Sequence, residues 1–426
     1  MMNYSQWLSA MIVEQVLIGK NLDKSFELIL TRYDKKEIKN LPQIKDMVYG
    51  ALRNLGKSYF FINKLVKNKI ENKCLEALLH IVFFQINNAR SNDFTLVNQA
   101  VDAAKRIDHK KSSFINGVLR NFLRNKNNLQ KELKENESAS YSYPSWWIKK
   151  TKKQYPKDWQ KILNIGNQHP PLALRINLKK ISVEEYLKIL KKNKIDYSFV
   201  GGECLIVKKP IDANKIPGFL DGKISVQDFG AQLAAHIIDL KENQKVLDAC
   251  SAPGGKACHM IELNSIKLLA VESNKQRVKK IKDNVQRLNL KLEILNKKID
   301  KKNEWWDKEY FDRILLDVPC SASGIVRRHI DIKWLRRTND FNKFGDNQLD
   351  LIKSVWPMLK KNGKLLYVTC SIFEEENRNV IESFKKELKD VSELNIEFPS
   401  NVAHIKNQLL PSDNHDGLFY ALLQKN

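Results

Sequence analysis

The sequence predicts a multi-domain protein: an all-α N-terminal domain, a small α+β unit, and an α/β domain on a doubly wound, Rossmann-like sheet. Three observations carry this. The chain has 426 residues, too many for one ordinary core. Pro42 is the only proline before Pro144, and apolar residues up to there recur at three- and four-residue spacing. From about residue 226 onward, short apolar runs alternate with amphipathic helical stretches, the pattern of right-handed crossovers in a mostly parallel sheet.

The all-α domain is expected over 1–135. Its first residues, "MMNYSQWLSAMIVEQVLIGKNLDK", have no basic flank and no small-residue cleavage site, so they read as an amphipathic helix and not a signal peptide. "VYGALRNLGKSYFFINKLV", "CLEALLHIVFFQIN", "TLVNQAVDAAKRI" and "SSFINGVLRNFLRNK" read as helices, the third capped by Asp93 or Thr95. Residues 125–147 turn from polar to aromatic and read as a linker. The α+β unit, over 136–225 with that linker, has "ALRIN" and "CLIV" as strands around a helix in "SVEEYLKILKKNK". The α/β domain, 226–426, has strands at "KVLDA", "KLLAVE", "RILLDV" and "KLLYVT". Its helices are "GGKACHMIEL", "KQRVKKIKDNVQRLN" and a long stretch through "NQLDLIKSVWPMLKK" that "NG" stops.

Composition narrows the function classes. No apolar run approaches the roughly 20 residues that cross a bilayer, so no membrane partner is expected. Six scattered cysteines form no Cys-x-x-Cys pair, which argues against a thiolate metal site and fits a reducing cytoplasm. The net charge of +24 attracts polyanions, nucleic acid first among them, although a coding bias toward Lys, Asn and Ile would also raise it.

In an open parallel sheet, ligands bind outside the carboxyl ends of the strands, and four such ends here carry chemistry. "LDACSAPGGK" places Gly254 and Gly255 between strand and helix, where backbone approaches a ligand closely. It lacks the G-x-G-x-x-G spacing of dinucleotide folds. Glu272 ends the next strand at the position from which an acid commonly binds a ribose diol. Together these point to an adenosine cofactor without a phosphate loop, and S-adenosyl-L-methionine fits better than a nucleoside triphosphate. "DVPCS" and "VTCS" bring Asp317, Cys320 and Cys370 to the same rim. One buried cysteine is usually a small hydrophobe; two at neighbouring strand ends beside a carboxylate suit methylation of a pyrimidine at C5. There a thiolate adds to C6, C5 takes the methyl group, and the adduct is then eliminated. The residues alone leave open which cysteine attacks.

With "VQDFGAQ", "LDACSAPGGK", "FDRILLDVPCSASGIVRRHIDIKW" and "YVTCSIFEEEN", the chain resembles the Nol1/Nop2/Sun family of RNA cytosine-C5 methyltransferases over nearly its whole length. The resemblance implies that residues 1–135 form a NusB-like RNA-binding domain. It makes Cys370 the nucleophile and Cys320 the residue assisting product release, with Asp317 on the cytosine ring and Lys256 reaching into the active site. It assigns Cys250, Ser251, Ala252, Pro253, Gly254, Gly255 and Lys256 to the cofactor loop, with Glu272 where the family usually has Asp. Asp317 also belongs to the cofactor set, and Asp300 in "NKKIDKK" is the candidate for the third cofactor motif, where an ungapped count puts Lys298. The implied partner is 16S rRNA with its target cytosine unstacked or in a loop; no metal is implied, and the chain is expected to act as a monomer. Arg327, Arg328, Lys333, Arg336 and Arg337, around Trp334, are expected to grip RNA. Two alternatives stand beside this reading. One is another RNA, such as tRNA or large-subunit rRNA. The other is an RNA-binding or antitermination factor whose methyltransferase half is a relic.

Overall fold

The computed structural model describes residues 2–33, 38, 40–88 and 91–426. Two compact units emerge, one reaching to Gln168 and including Val326–Thr338, the other formed by His169–Ile325 and Asn339–Asn426. No described helix is long and apolar enough to cross a membrane.

The first unit is helical: α1 (Met2–Leu17), α2 (Leu22–Leu30), α3 (Leu41–Arg53), α4 (Leu55–Leu65), α5 (Lys73–Asn87), α6 (Asp93–Ile107), α7 (Ser112–Glu135), α8 (Glu137–Tyr141), α9 (Ser145–Gln154) and α10 (Trp159–Gly166). Every residue of α5 from Cys74 to Ile86 is buried, as befits a central helix apolar all round. Two of its buried polar side chains are bonded within the unit: Gln6 Nε2 donates to Gln85 Oε1 at 2.8 Å, and Ser58 Oγ meets His80 Nδ1 at 2.7 Å. Gly50 is required where α3 meets this helix, since a Cβ there would stand 2.1 Å from the Phe84 ring.

Three expectations for this unit are corrected. The single helix read over 48–66 divides at Asn54, whose Nδ2 turns back to the Gly50 carbonyl. The α6 cap is Asn92, accepting from the Phe94 N–H at 2.9 Å, and not Asp93 or Thr95. The stretch read as a linker is helical. α7 runs on to Glu135 because Leu129 and Leu133, four residues apart, are buried, and α8 to α10 continue in the same unit.

The second unit opens with β1 (Leu172–Ile176), α11 (Val183–Lys192), β2 (Tyr197–Gly201), β3 (Cys204–Val207) and β4 (Ile224–Val226). These strands form an antiparallel sheet in the order β2-β3-β1-β4, and a Ser182/Glu185 capping box starts α11. Then follow α12 (Phe229–Ile237), β5 (Lys245–Ala249), α13 (Gly255–Leu263), β6 (Lys267–Val271), α14 (Lys275–Leu288), β7 (Glu293–Leu295) and β8 (Phe311–Asp317). After α15 (Ile332–Leu335), which belongs to the first unit, come α16 (Asp340–Val355), β9 (Leu359–Thr369), α17 (Arg378–Glu387), β10 (Val391–Leu394), β11 (His404–Ile405), β12 (Gln408–Leu409) and β13 (Leu418–Lys425).

The large sheet runs β7-β6-β5-β8-β9 in parallel, then continues antiparallel through β13 to β12. Separate buried clusters cover its two faces, one including α12 and α13, the other α16 and α17. This is the doubly wound fold the alternation predicts. The antiparallel C-terminal strands were not anticipated. The helix read over 347–361 ends at Val355, because Pro357 cannot continue it. The strand begins at Leu359, and its pairing with β8 slips from Phe311↔Leu359 to Arg313↔Lys364 around Asn362.

Candidate active site

The strand order reverses between β5 and β8: the chain moves outward through β6 and β7, then returns to add β8 and β9 on the other side. Such a switch point opens a crevice at the carboxyl ends. Register sets which residues meet there. Ala249 pairs with both Val271 and Leu316, and Asp317 pairs with Val368. Cys250, Glu272, Asp317 and Cys370 therefore leave their strands on one rim, and Cys320 follows three residues behind Asp317.

The rim closes on two cysteines. Cys320 Sγ and Cys370 Sγ lie 3.1 Å apart, both half-buried. The bond to Cys370 raises the Cys320 pKa well above the thiol range, with burial and the Cys370 and Glu376 charges adding to it. Either sulfur can donate in this contact. Lys256 Nζ donates to Asp317 Oδ2 at 2.7 Å. Burial works against the Lys256 charge, yet Asp317, Cys370 and Asp248 together hold its pKa above the ordinary value. An ammonium kept charged beside a thiol is the local positive field that a reactive cysteine needs.

Cys250, by contrast, is pushed up to about 12 by burial and by the Asp317, Glu272 and Asp248 charges, which marks it as structural rather than reactive. It takes φ 64° to turn the chain out of β5. Gly254 holds φ 93°, a conformation that strains any side chain, and a Cβ there would also stand a tight 3.1 Å from the Ile281 side chain. The rest of the loop is tied down through its backbone: Ala252 O accepts from Arg277, Pro253 O from Asn284, and Gly255 O from Arg175.

Beside this loop lies a cavity of about 470 Å³, lined by residues that include Cys250, Glu272, Ser273, Lys298, Asp300, Pro319 and Phe344. Glu272 is buried and accepts the Asn274 N–H through Oε1. Its Oε2 has an ionic contact with Arg277 at 3.3 Å but no hydrogen bond. A buried carboxylate that lines the cavity and keeps one oxygen free of hydrogen bonds fits a vicinal diol. Asp300 and Lys298 both line the cavity; Asp300 Oδ1 is occupied by the backbone N–H groups of Lys302 and Asn303. Of the predicted cofactor loop, Cys250 alone lines this cavity.

Two buried carboxylates beside the site escaped the sequence reading. Glu376, fully buried, accepts the Ser321 N–H and the Ser371 hydroxyl, each at 2.6 Å. The run "EEEN" behind "VTCS" was its only signal. Asp248, inside β5, accepts the Ser251 hydroxyl at 2.7 Å and leaves Oδ1 without a partner; burial raises its pKa to about 7. An acid within a buried parallel strand was the sign of it. Elsewhere Glu203 Oε1 lies 2.8 Å from His236 Nε2 and 2.6 Å from His259 Nε2, which ties β3 to α12 and α13.

The expected RNA grip is corrected at Arg327 and Lys333; Arg327 is buried, at 2% exposure. Lys333 is fully buried in the first unit, donating to Arg53 O, Ser142 O and Asn167 Oδ1 at 3.2, 2.7 and 2.6 Å. Trp334 Nε1 donates to Leu52 O at 2.9 Å. Both side chains fasten the 326–338 segment into the helical unit; Lys333 is thereby closed to RNA, whereas Trp334 is only half-buried.

A doubly wound sheet with a glycine-bearing first turn, a ribose-type acid and two rim cysteines defines a methyltransferase. Comparison with known proteins narrows this. Residues 235–424 match the model of the 16S rRNA methyltransferase RsmB/F family, 143–214 the ferredoxin-like domain of RsmF/B-like methyltransferases, and 5–124 the NusB family. A probable ribosomal RNA small subunit methyltransferase B from Coxiella burnetii is 37% identical over 91% of this chain and 93% of its own. The ribosomal RNA small subunit methyltransferase B of Shewanella oneidensis is 36% identical over 90% of each. Among solved structures, PH0851 superposes with a TM-score of 0.80 at 26% identity, covering 99% of both chains. The chain belongs to the RsmB/F family of methyltransferases, with a NusB domain at its N-terminus and a ferredoxin-like domain before the catalytic one.

Proposed function

We propose that this protein methylates C5 of one cytosine in 16S rRNA, using S-adenosylmethionine and a covalent protein–RNA adduct. It would act in the cytoplasm, as a monomer. The observation that carries the reading is the pair of sulfurs 3.1 Å apart on the rim, beside Lys256 and Asp317. A transfer to oxygen or to an exocyclic nitrogen needs no nucleophilic thiol; C5 of cytosine does.

Cys370 Sγ bonds to C6 of an unstacked cytosine, supported by the Cys320 S–H and the Lys256 ammonium. Asp317 holds the ring from the side of its polar edge. S-adenosylmethionine, when bound, supplies the electrophilic methyl group, and the cavity residues suit it: Glu272 Oε2 for the ribose diol, Cys250 and Asp300 along the wall. Once C5 has been methylated its proton passes to solvent water, the freed pair forms the C5–C6 double bond, the Cys370–C6 pair returns to sulfur as the thiolate, and Cys320 assists that release through its S–H. The excess positive charge of the chain favours a polyanionic substrate. The small-subunit rRNA target follows the names of the relatives, which share both the helical and the catalytic regions.

The test is to incubate the protein with methyl-labelled S-adenosylmethionine and either unmodified 16S rRNA or tRNA, then to identify the labelled nucleoside. Label as 5-methylcytosine at one 16S position supports the proposal. Label on tRNA alone overturns the substrate, and label on a different atom overturns the chemistry.

A further inference from the structure

The two cysteine loops come from different strands, so something must fix the distance between the sulfurs. We propose that Glu376 is the positioning residue that does so, giving one carboxylate oxygen to each loop. This rests on the methylation reading above and deepens it.

Glu376 Oε2 accepts the N–H of Ser321, the residue after Cys320. Oε1 accepts the hydroxyl of Ser371, the residue after Cys370. Gln348 Nε2 reaches the same Oε2 at 3.3 Å and holds Pro319 O, on the other side of Cys320, at 2.9 Å. The Cys320 loop is thereby gripped on both flanks from one carboxylate. A second layer joins the loops directly: Ser323 Oγ meets Ser371 Oγ at 2.9 Å and accepts the Ile372 N–H at 3.0 Å, while Gly324 N–H donates to Cys370 O at 2.9 Å. Each serine that follows a cysteine is therefore a handle for the same acid.

The chemistry explains why an acid stands there. A carboxylate accepts at both oxygens, so it can bind two converging donors that no amide could satisfy alike. Glu376 is fully inside, and its bonding partners Ser321, Ser371 and Gln348 are neutral. Burial of an acid costs stability that an apolar residue would not. Burial raises its pKa while these three bonds pull it back. Its hydrogen bonds go to Ser321, Ser371 and Gln348 and not to a sulfur, although its charge adds to the rise in the Cys320 pKa. It acts through the loops.

The test compares the wild-type protein with Glu376→Gln and Glu376→Ala by three readouts: turnover on 16S rRNA, affinity for S-adenosylhomocysteine, and the rate at which diamide joins Cys320 to Cys370 as a disulfide. Glu376→Gln keeps the volume but offers only one acceptor, so one loop loses its anchor. The expected result is turnover down by about tenfold or more, cofactor affinity within about twofold, and slower cross-linking in both variants, with Glu376→Ala the worse. Normal turnover and normal cross-linking in folded Glu376→Gln overturn the proposal. An equal loss of cofactor affinity and thermal stability overturns it too, since it marks a general structural role. If the wild-type protein methylates no cytosine, the reading beneath has failed, and the cross-linking rates still decide the role of Glu376.

Discussion

Replacing Lys333 with Met separates two accounts of the "RRHIDIKW" segment. As a cation beside an aromatic it looks like an RNA contact, but its ammonium sits inside the helical unit with three oxygens around it and the Tyr143 ring 4.3 Å away. Burial and the nearby Arg53 and Lys57 charges press its pKa well below the usual lysine range, so only that oxygen cage holds the charge there. Methionine matches the stem and removes every donor. The Arg53 and Ser142 carbonyls and the Asn167 side chain then lose their bond to Lys333, and stranding several groups of this kind costs about 3–5 kcal/mol. Urea unfolding followed by tryptophan fluorescence reports on this unit through Trp7, Trp146, Trp147, Trp159 and Trp334. The expected outcome is an earlier transition for the helical unit, with the salt dependence of rRNA binding unchanged where the variant is folded. A stability loss below about 1 kcal/mol, together with a salt slope reduced by about one, would refute the reasoning and return Lys333 to the RNA surface.

Further outcomes follow from the same geometry. Glu272→Gln should weaken S-adenosylhomocysteine binding about tenfold by calorimetry, because the orphaned Oε2 loses its charge, and should leave thermal stability nearly unchanged. Arg175→Ala strips Glu262 of its two guanidinium bonds in a fully buried pair, for a loss of about 3–5 kcal/mol in chemical unfolding. Asp248 has its folded pKa raised from 3.8 to about 7, so its contribution to stability is fully present below the unfolded value and is lost as pH rises through 7. The stabilisation gained by Asp248→Asn should therefore grow between pH 5 and pH 8, toward at most about 4 kcal/mol, as read from unfolding curves across that range.

What the sequence made legible follows from where its signals are local. Alternating apolar strands and amphipathic helices specify a doubly wound sheet, and the residue that ends an apolar run is the residue at a strand end. That is why Cys250, Glu272, Asp317, Cys320 and Cys370 were visible beforehand. α7 was half missed because Leu129 and Leu133 are its buried anchors in a strongly polar stretch, and composition outweighed their spacing. The roles of Lys333 and Glu376 lay beyond local reading. The partners of Lys333 are 166 to 280 residues away in the chain, and Glu376 reaches 55 residues back to Ser321. A cation beside an aromatic, or a run of acids, looks the same in sequence whether it faces solvent or fills a core. Only the folded chain distinguishes them.

The most direct measurement of the central claim is adduct trapping. Cys370→Ala and Cys320→Ala proteins are mixed with 16S rRNA and S-adenosylmethionine, then resolved under denaturing conditions. The account predicts no turnover and no adduct from Cys370→Ala, and a stable protein–RNA adduct from Cys320→Ala, because the bond to C6 forms but is not released. An adduct from Cys370→Ala, with none from Cys320→Ala, would contradict the account and give the attacking role to Cys320.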